Sequence, residues 1–139
     1  MPCWLLYFAL LGVTSACTCR WYTPEQAFCD ATFVGIFNIQ NKSLSGLDVI
    51  YKAKVFRMFK PNNGFQNGTV ITIRSASDDA RCGIPRLPLG VNYLLTGMTS
   101  WGTGTHRIYW CGQLELRPWS TVSSEVKNAL EKGSFEPCP

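Results

Sequence analysis

The sequence is poor in the residues on which enzymes and metal sites most often depend. It contains one histidine among 139 residues, and only 16% of its residues are charged. Because His106 would have to serve any Ser/His or Cys/His arrangement and lacks a nucleophile-elbow context, we expect a surface or loop histidine. Asp78 and Asp79 are adjacent, so their side chains would point apart and could not flank one bond as an acid/base pair. The chain is therefore not predicted to be an enzyme.

A long apolar run and a strong charge imbalance are also absent. The apolar run from Trp4 to Val13 is well short of the roughly 20 residues that span a bilayer, so no membrane partner is expected. The net charge of +4 is mild, which together with the secretory context described below disfavours nucleic acid. One partial basic cluster is interpreted as a solvated strand face, with anionic matrix polysaccharide as an alternative partner; it consists of Lys52, Lys54, Arg57 and Lys60.

The N-terminus has the pattern of a secretory leader. The apolar run is followed by Thr14-Ser15-Ala16, a small-residue cleavage signature. We therefore predict a signal peptide over residues 1–16 and one secreted, extracellular domain over residues 17–139, which we expect to be monomeric. Cleavage there makes Cys17 the first residue of the mature protein.

An alternative interpretation of this leader is a bacterial lipoprotein signal, in which Cys17 would be acylated. Thr14 lies where that signal prefers an aliphatic residue, which argues against it. Two glycosylation sequons, at Asn41 and Asn67, are more natural in a eukaryotic secreted chain. We favour secretion without a lipid and predict a glycoprotein.

The cysteine count predicts a disulfide framework. The chain has seven cysteines, of which Cys3 lies in the leader, so the predicted mature domain has six. An even count in an oxidising compartment predicts three disulfides. Six cysteines allow 15 pairings, and geometry removes only the pairing of Cys17 with Cys19, which would close a strained ring. Because no Cys-x-x-Cys zinc spacing is present, we expect no metal or cofactor of the protein's own.

The hydrophobic pattern predicts an all-β fold with one C-terminal helix. Five segments are apolar and rich in β-branched residues, and turn-rich segments separate them; they cover residues 33–39, 49–59, 70–74, 92–96 and 107–111. Such a set closes most economically as a five-stranded Greek-key barrel of the OB type. After Pro118 a helical period follows, which Ser120 or Thr121 can cap and which Lys132-Gly133 ends.

The predicted mature terminus, Cys17-Thr18-Cys19, carries the chemistry of greatest interest. If each cysteine is bridged to the barrel, the tripeptide is held extended, with both cysteines facing the body and Thr18 facing outward. A free α-amine and the carbonyl of one residue can chelate a borderline cation such as Zn²⁺. A terminal cysteine can thus occupy the open coordination position of a partner's catalytic zinc.

These features resemble the tissue inhibitors of metalloproteinases, whose N-terminal domain is a netrin-like OB barrel. The resemblance covers the whole predicted mature chain, which is similar to the single-domain secreted forms of nematodes and other invertebrates. It is carried by the six cysteines in their order and by short motifs around them, namely Cys17-Thr18-Cys19, Ala27-Phe28-Cys29, Cys82-Gly83, Leu94-Leu95-Thr96-Gly97, Cys111, Pro118-Trp119 and Cys138.

The resemblance implies a pairing, a mechanism and a set of contact residues. The implied disulfides are Cys17–Cys82, Cys19–Cys111 and Cys29–Cys138. The Cys17 amine and carbonyl would ligate the zinc of a secreted metalloprotease, and Thr18 would enter its specificity pocket on the primed side. The segment Asp79-Ala80-Arg81 before Cys82 would lie along the other side of the cleft.

Two departures from the family pattern bear on potency. Arg20 and Trp21 follow Cys19 where small aliphatic residues and proline are usual, and Arg81 replaces an apolar residue. Bulky cations there predict changed selectivity or obstructed binding. The alternative function is a secreted netrin-like module that binds a host or matrix protein without inhibiting a protease. An exposed aromatic patch would suit that function, although packing in the core or at the barrel rim is the commoner fate of such rings; the rings are those of Trp21, Tyr22 and Trp101.

Overall fold

The described part of the chain is a five-stranded barrel with two short helices. The computed structural model describes residues 17–62 and 64–139, so the predicted signal peptide lies outside the described residues. The strands are β1 (Phe33–Ser45), β2 (Asp48–Lys60), β3 (Val70–Ala76), β4 (Asn92–Thr99) and β5 (His106–Ile108). The helices are α1 (Pro24–Asp30) and α2 (Ser124–Lys132).

The strands close into a barrel in the order β1-β2-β3-β5-β4. Strand β3 runs parallel to β5, and the other neighbouring pairs are antiparallel. Closure pairs each described strand with a neighbour on both sides over part of its length, which is the physical advantage of a barrel over an open sheet. The predicted fold class, an all-β OB-type barrel with one C-terminal helix and three disulfides, is confirmed.

Two apolar clusters stabilise this barrel. The barrel interior is filled by inward-facing side chains, among them Phe33, Phe37 and Tyr51, all fully buried. A second cluster lies between the barrel wall and the helices, where Val126 and Leu130 of α2 contact the barrel and α1. The helix thus covers one outer face of the sheet with its apolar stripe.

The end of β1 and the start of α2 differ from the prediction. Strand β1 does not end near Gln40 but continues to Ser45, because a register shift after Ile39 lets the strand bend and pair with β2 up to the hairpin turn. Helix α2 is capped by Ser123, not by Ser120 or Thr121, and Gly133 ends it in the left-handed region, as predicted.

Helix α1 was not predicted, although its start has a recognisable signal. The Thr23 hydroxyl accepts from the Gln26 backbone, and the Gln26 side chain accepts from the Thr23 backbone, with Pro24 at the first helical position. This capping box stabilises a helix too short for periodicity to reveal.

The four residues of the predicted basic cluster do not share one environment. Lys52 and Lys54 point outward from β2, but Arg57 lies 3.7 Å from Glu131 of α2. Lys60 turns towards the protein and donates hydrogen bonds to the carbonyl oxygens at the C-terminal end of α1, including that of Cys29 at 3.0 Å. Its interpretation as a solvated residue is therefore wrong, because the exposed carbonyls at a helix end attract a cation.

Among the described residues, no helix has the length and apolar character that crossing a bilayer requires.

Candidate functional site

The first described residues are fastened to the barrel by two disulfides. Cys17 is bonded to Cys82 and Cys19 to Cys111, with Cα atoms 5.0 and 5.4 Å apart. A third disulfide joins Cys29 to Cys138 across a sequence separation of 109 residues. These are the three pairings that the resemblance implies. We call residues 17–21 the terminal ridge, since both ends of its Cys-Thr-Cys segment are held.

Thr18 projects from this ridge. Its side chain is exposed, whereas Cys17 is half-buried against the barrel. Cys19 is also exposed at the level of the whole residue, although its sulfur is committed to Cys111. Thr18 is therefore free to contact another molecule without any change in the disulfides on either side of it.

The sulfur atoms under the ridge lie close together without forming a metal site. The Sγ atoms of Cys17, Cys19 and Cys111 lie within 4.8 Å of one another. All three belong to disulfides, so none can supply the thiolate that a metal requires. The main chain of Cys17 would offer a carbonyl oxygen, and its nitrogen would become a ligand only if cleavage after Ala16 freed it as an α-amine.

The segment that carries Cys82 is a short and constrained turn. Asp78 accepts a hydrogen bond from the Arg81 backbone at 2.9 Å and starts a 3-10 turn over Asp79–Arg81. Cys82 then adopts a φ of 59°, in the left-handed region that non-glycine residues rarely occupy. Gly83 lies against the backbone of β3, where a Cβ atom would collide with the carbonyl of Ala76. The backbone conformation at Cys82 and Gly83 thus helps to set the position of the disulfide to Cys17.

Arg81 does not project as a free cation. Its Nε donates to Asp78 at 2.7 Å, and its terminal nitrogen donates to the carbonyl of Leu47 at 2.7 Å, in the β1–β2 turn. The hydrogen bond from Arg81 also holds the pKa of Asp78 below its ordinary value. Protein atoms therefore engage the guanidinium, and the effect of Arg81 on protease binding stays a prediction.

Arg20 is also folded back, whereas Trp21 is not. The Arg20 guanidinium lies 4.9 Å from the centre of the Tyr22 ring and 4.0 Å from the carboxylate of Asp30. Trp21 is 81% exposed. Tyr22 lines a groove of about 300 Å³ beside the ridge, and Trp101 lines a second depression, with Ala31 bordering both.

The family of the chain follows from comparison with known proteins. The model of the family described as tissue inhibitor of metalloproteinase matches residues 15–139. The chain belongs to this family. The family consists of inhibitors, so membership confirms the prediction that the chain is not an enzyme.

Curated relatives agree with this assignment. Metalloproteinase inhibitor 2 of Bos taurus is 33% identical over 141 residues, which cover 92% of this chain and 60% of the relative. Metalloproteinase inhibitor 2 of Homo sapiens is 32% identical over 143 residues, which cover 91% of this chain and 59% of the relative. The chain thus spans about three-fifths of the length of these inhibitors.

In this member of the family, side chains from the barrel interior hold the segment that follows Cys82 through hydrogen bonds. The hydroxyl of the fully buried Tyr51 donates to the Ile84 carbonyl at 2.6 Å and accepts from the Leu87 backbone at 3.2 Å. The Ser75 hydroxyl accepts from the Ile84 backbone at 2.6 Å. Sequence reasoning missed these supporting residues, because a tyrosine or serine inside a strand carries no signal for its long-range partner.

His106 lies in strand β5 and is half-buried, so its prediction as a surface or loop residue is wrong. Its Nδ1 lies 2.9 Å from the Thr99 hydroxyl, and its ring packs edge-on against Phe65 at 4.6 Å. Burial lowers the pKa of His106, which favours the neutral ring. This histidine packs against the core rings of Phe33 and Phe65.

Proposed function

We propose that the chain is a secreted inhibitor of zinc metalloproteases and that the terminal ridge is its inhibitory element. The observation that carries the proposal is the pair of disulfides that holds Cys17 and Cys19 on the barrel while Thr18 stays exposed. Membership in an inhibitor family and the names of the curated relatives support it.

We assign coordination of the partner's zinc ion to the main-chain amine and carbonyl of Cys17. Removal of residues 1–16 by a signal peptidase would leave its α-amine free, and an α-amine, with a pKa of about 7.7–8.0, loses its proton far more readily than a lysine. The Cys17 thiol is occupied by Cys82, which leaves the amine and carbonyl as the groups that fit a zinc ion of the partner protease. That ion supplies an open coordination position, and the protein itself needs no cofactor.

The neighbouring residues are assigned to the walls of the cleft. Thr18 would fill the specificity pocket on the primed side, and Arg20 and Trp21 would follow it. The turn of Asp79-Ala80-Arg81 up to Cys82 would lie along the opposite side. Because two disulfides order the ridge before binding, little conformational entropy is lost when a protease closes around it.

An inhibition assay tests this function. Material with an authentic Cys17 terminus is titrated against a panel of zinc metalloprotease catalytic domains, with a serine protease as control. We expect inhibition of at least one metalloprotease and none of the control. The Thr18→Gly variant should weaken inhibition to a degree that differs among proteases, because it removes pocket contacts and keeps the chelating groups. No inhibition across the panel would contradict the proposal and favour a non-inhibitory binding module.

The covalent state of the secreted protein is a separate part of the proposal. We propose a monomer that begins at Cys17, has no free thiol and carries glycans at Asn41 and Asn67. Both asparagines are exposed. Intact mass, peptide mapping and light scattering measure these properties. Matrix polysaccharide is not proposed as a partner, because Lys60 and Arg57 are engaged within the protein.

A further inference from the structure

We infer that the glycan on Asn67 packs against the protein, in a groove on the outer face of the β2-β1-β4 sheet, with the ring of Phe56 as its platform. The inference rests on secretion through a glycosylating pathway and not on protease inhibition.

The groove is formed by outward-facing side chains of three neighbouring strands. It has a volume of about 430 Å³ and lies beside the turn that carries the sequon. Asn38 of β1 is paired with Lys54 of β2 on one side and with Asn92 of β4 on the other, so these three side chains form one row across the sheet. Phe56 follows Lys54 on the same face of β2, and Gly68 closes the groove at the sequon.

The sequon is fixed at the rim of this groove. The Gly68 backbone donates to the Val55 carbonyl at 2.6 Å, and the Val55 backbone donates to the Thr69 carbonyl at 2.8 Å. Val55 lies between the two residues of β2 that line the groove, Lys54 and Phe56. An N-linked sugar on Asn67 would therefore emerge next to Gly68, where its first residues lie within reach of the groove.

The lining has the two kinds of group that a sugar requires. Phe56 is 58% exposed, so its ring is free to pack against the apolar C–H face of a pyranose. Beside it, the Asn38 amide donates to Asn92 at 2.8 Å and accepts from Gln40 at 2.5 Å. This leaves the Asn92 amide nitrogen and the Gln40 carbonyl oxygen without a side-chain hydrogen-bond partner among the described residues. Sugar hydroxyls can satisfy both the donor and the acceptor.

The experiment compares glycan effects with and without the aromatic platform. The protein is secreted from eukaryotic cells as an Asn41→Gln variant, so that Asn67 is its single sequon. Four forms combine glycosylated Asn67 or Asn67→Gln with Phe56 or Phe56→Ala, and thermal unfolding is measured for each. We expect the glycan to raise the Tm by about 2–5 °C when Phe56 is present and by less than about 1 °C in the Phe56→Ala background.

An NMR measurement and a matched control variant accompany this comparison of four forms. Ring-current shifts of the core sugar C–H protons, measured by NMR on a labelled glycan, should be present with Phe56 and lost in Phe56→Ala. Leu44→Ala removes another exposed apolar side chain, 77% exposed near the β1–β2 turn, and should leave the glycan effect unchanged. Three results would overturn the inference, namely an unoccupied Asn67, an equal gain in Tm in both backgrounds, or sugar protons without ring-current shifts.

Discussion

Tyr51→Phe is the substitution that most sharply tests how the barrel supports the terminal ridge. The Tyr51 hydroxyl makes two hydrogen bonds to the segment behind Cys82, one to the Ile84 carbonyl and one from the Leu87 amide. Phenylalanine keeps the ring that fills the core and removes only the hydroxyl. The loss leaves a buried acceptor and a buried donor without a partner.

The expected cost follows from those two groups. A buried polar group left unsatisfied costs about 1–3 kcal/mol, and partial relaxation of the segment reduces the sum, so we expect the free energy of unfolding to fall by about 2 kcal/mol. For a domain of this size that corresponds to a Tm lower by about 5–10 °C. The domain should still fold, because typical domains have 5–15 kcal/mol of stability.

Urea denaturation and amide hydrogen exchange provide the measurements. The Leu87 amide should exchange faster in Tyr51→Phe, because its acceptor is gone. Tyr93→Phe is the matched control, since Tyr93 is half-buried against the same core and its hydroxyl has no hydrogen-bond partner among the described residues. If Tyr51→Phe were as stable as Tyr93→Phe and Leu87 kept its protection, the proposed support of the ridge would be wrong.

Three further predictions concern stability. The double substitution Cys29→Ser and Cys138→Ser removes the disulfide that closes a loop of 109 residues, so thermal or urea unfolding should show a free energy of unfolding lower by about 4 kcal/mol. A double mutant with the parental Tm would contradict this prediction. Lys60→Met should destabilise the fold by about 1–3 kcal/mol through lost bonds to helix carbonyls, whereas the exposed control Lys52→Met should change little; equal effects would refute this role. Asp48→Asn should cost stability at pH 7, and the cost should shrink as the pH falls below about 3.9; a Tm difference independent of pH would count against the ion pair.

The direction of the pH dependence expected for Asp48→Asn follows from the ion pair between Asp48 and Arg107. Arg107 donates two hydrogen bonds to the Asp48 carboxylate, at 2.9 and 3.0 Å, and these hold the pKa of Asp48 below its ordinary value. A group whose pKa is lower in the folded state stabilises the fold above its unfolded pKa of about 3.9. That contribution is lost as the pH falls through the lower, folded value.

The barrel was predictable because the residue pattern that indicates each strand is local in the sequence. Alternating apolar residues in β2 and β3 gave the strands, and Gly133 gave the end of α2. The extension of β1 to Ser45 was missed, because its outer half is polar and pairs only with β2. Helix α1 was missed because seven residues are too few for periodicity, although its capping box was visible.

The site was predictable only in part. The resemblance implied which cysteines lie near Thr18, but not how the surrounding charges are engaged. Arg81 and Lys60 both turn towards backbone carbonyls that are distant in sequence, at Leu47 and at the end of α1. Such contacts depend on the closed barrel, so no local pattern encodes them.

The central claim is that a free α-amine on Cys17 is the inhibitory group, and one paired measurement tests it. The inhibition constant for a sensitive metalloprotease is compared between protein that begins at Cys17 and protein with one added N-terminal alanine, after peptide mapping has established identical disulfides in both. The account predicts a loss of at least about 100-fold, or 2.7 kcal/mol, because the added residue removes a ligand and intrudes into the cleft. Equal inhibition by the two forms would contradict it.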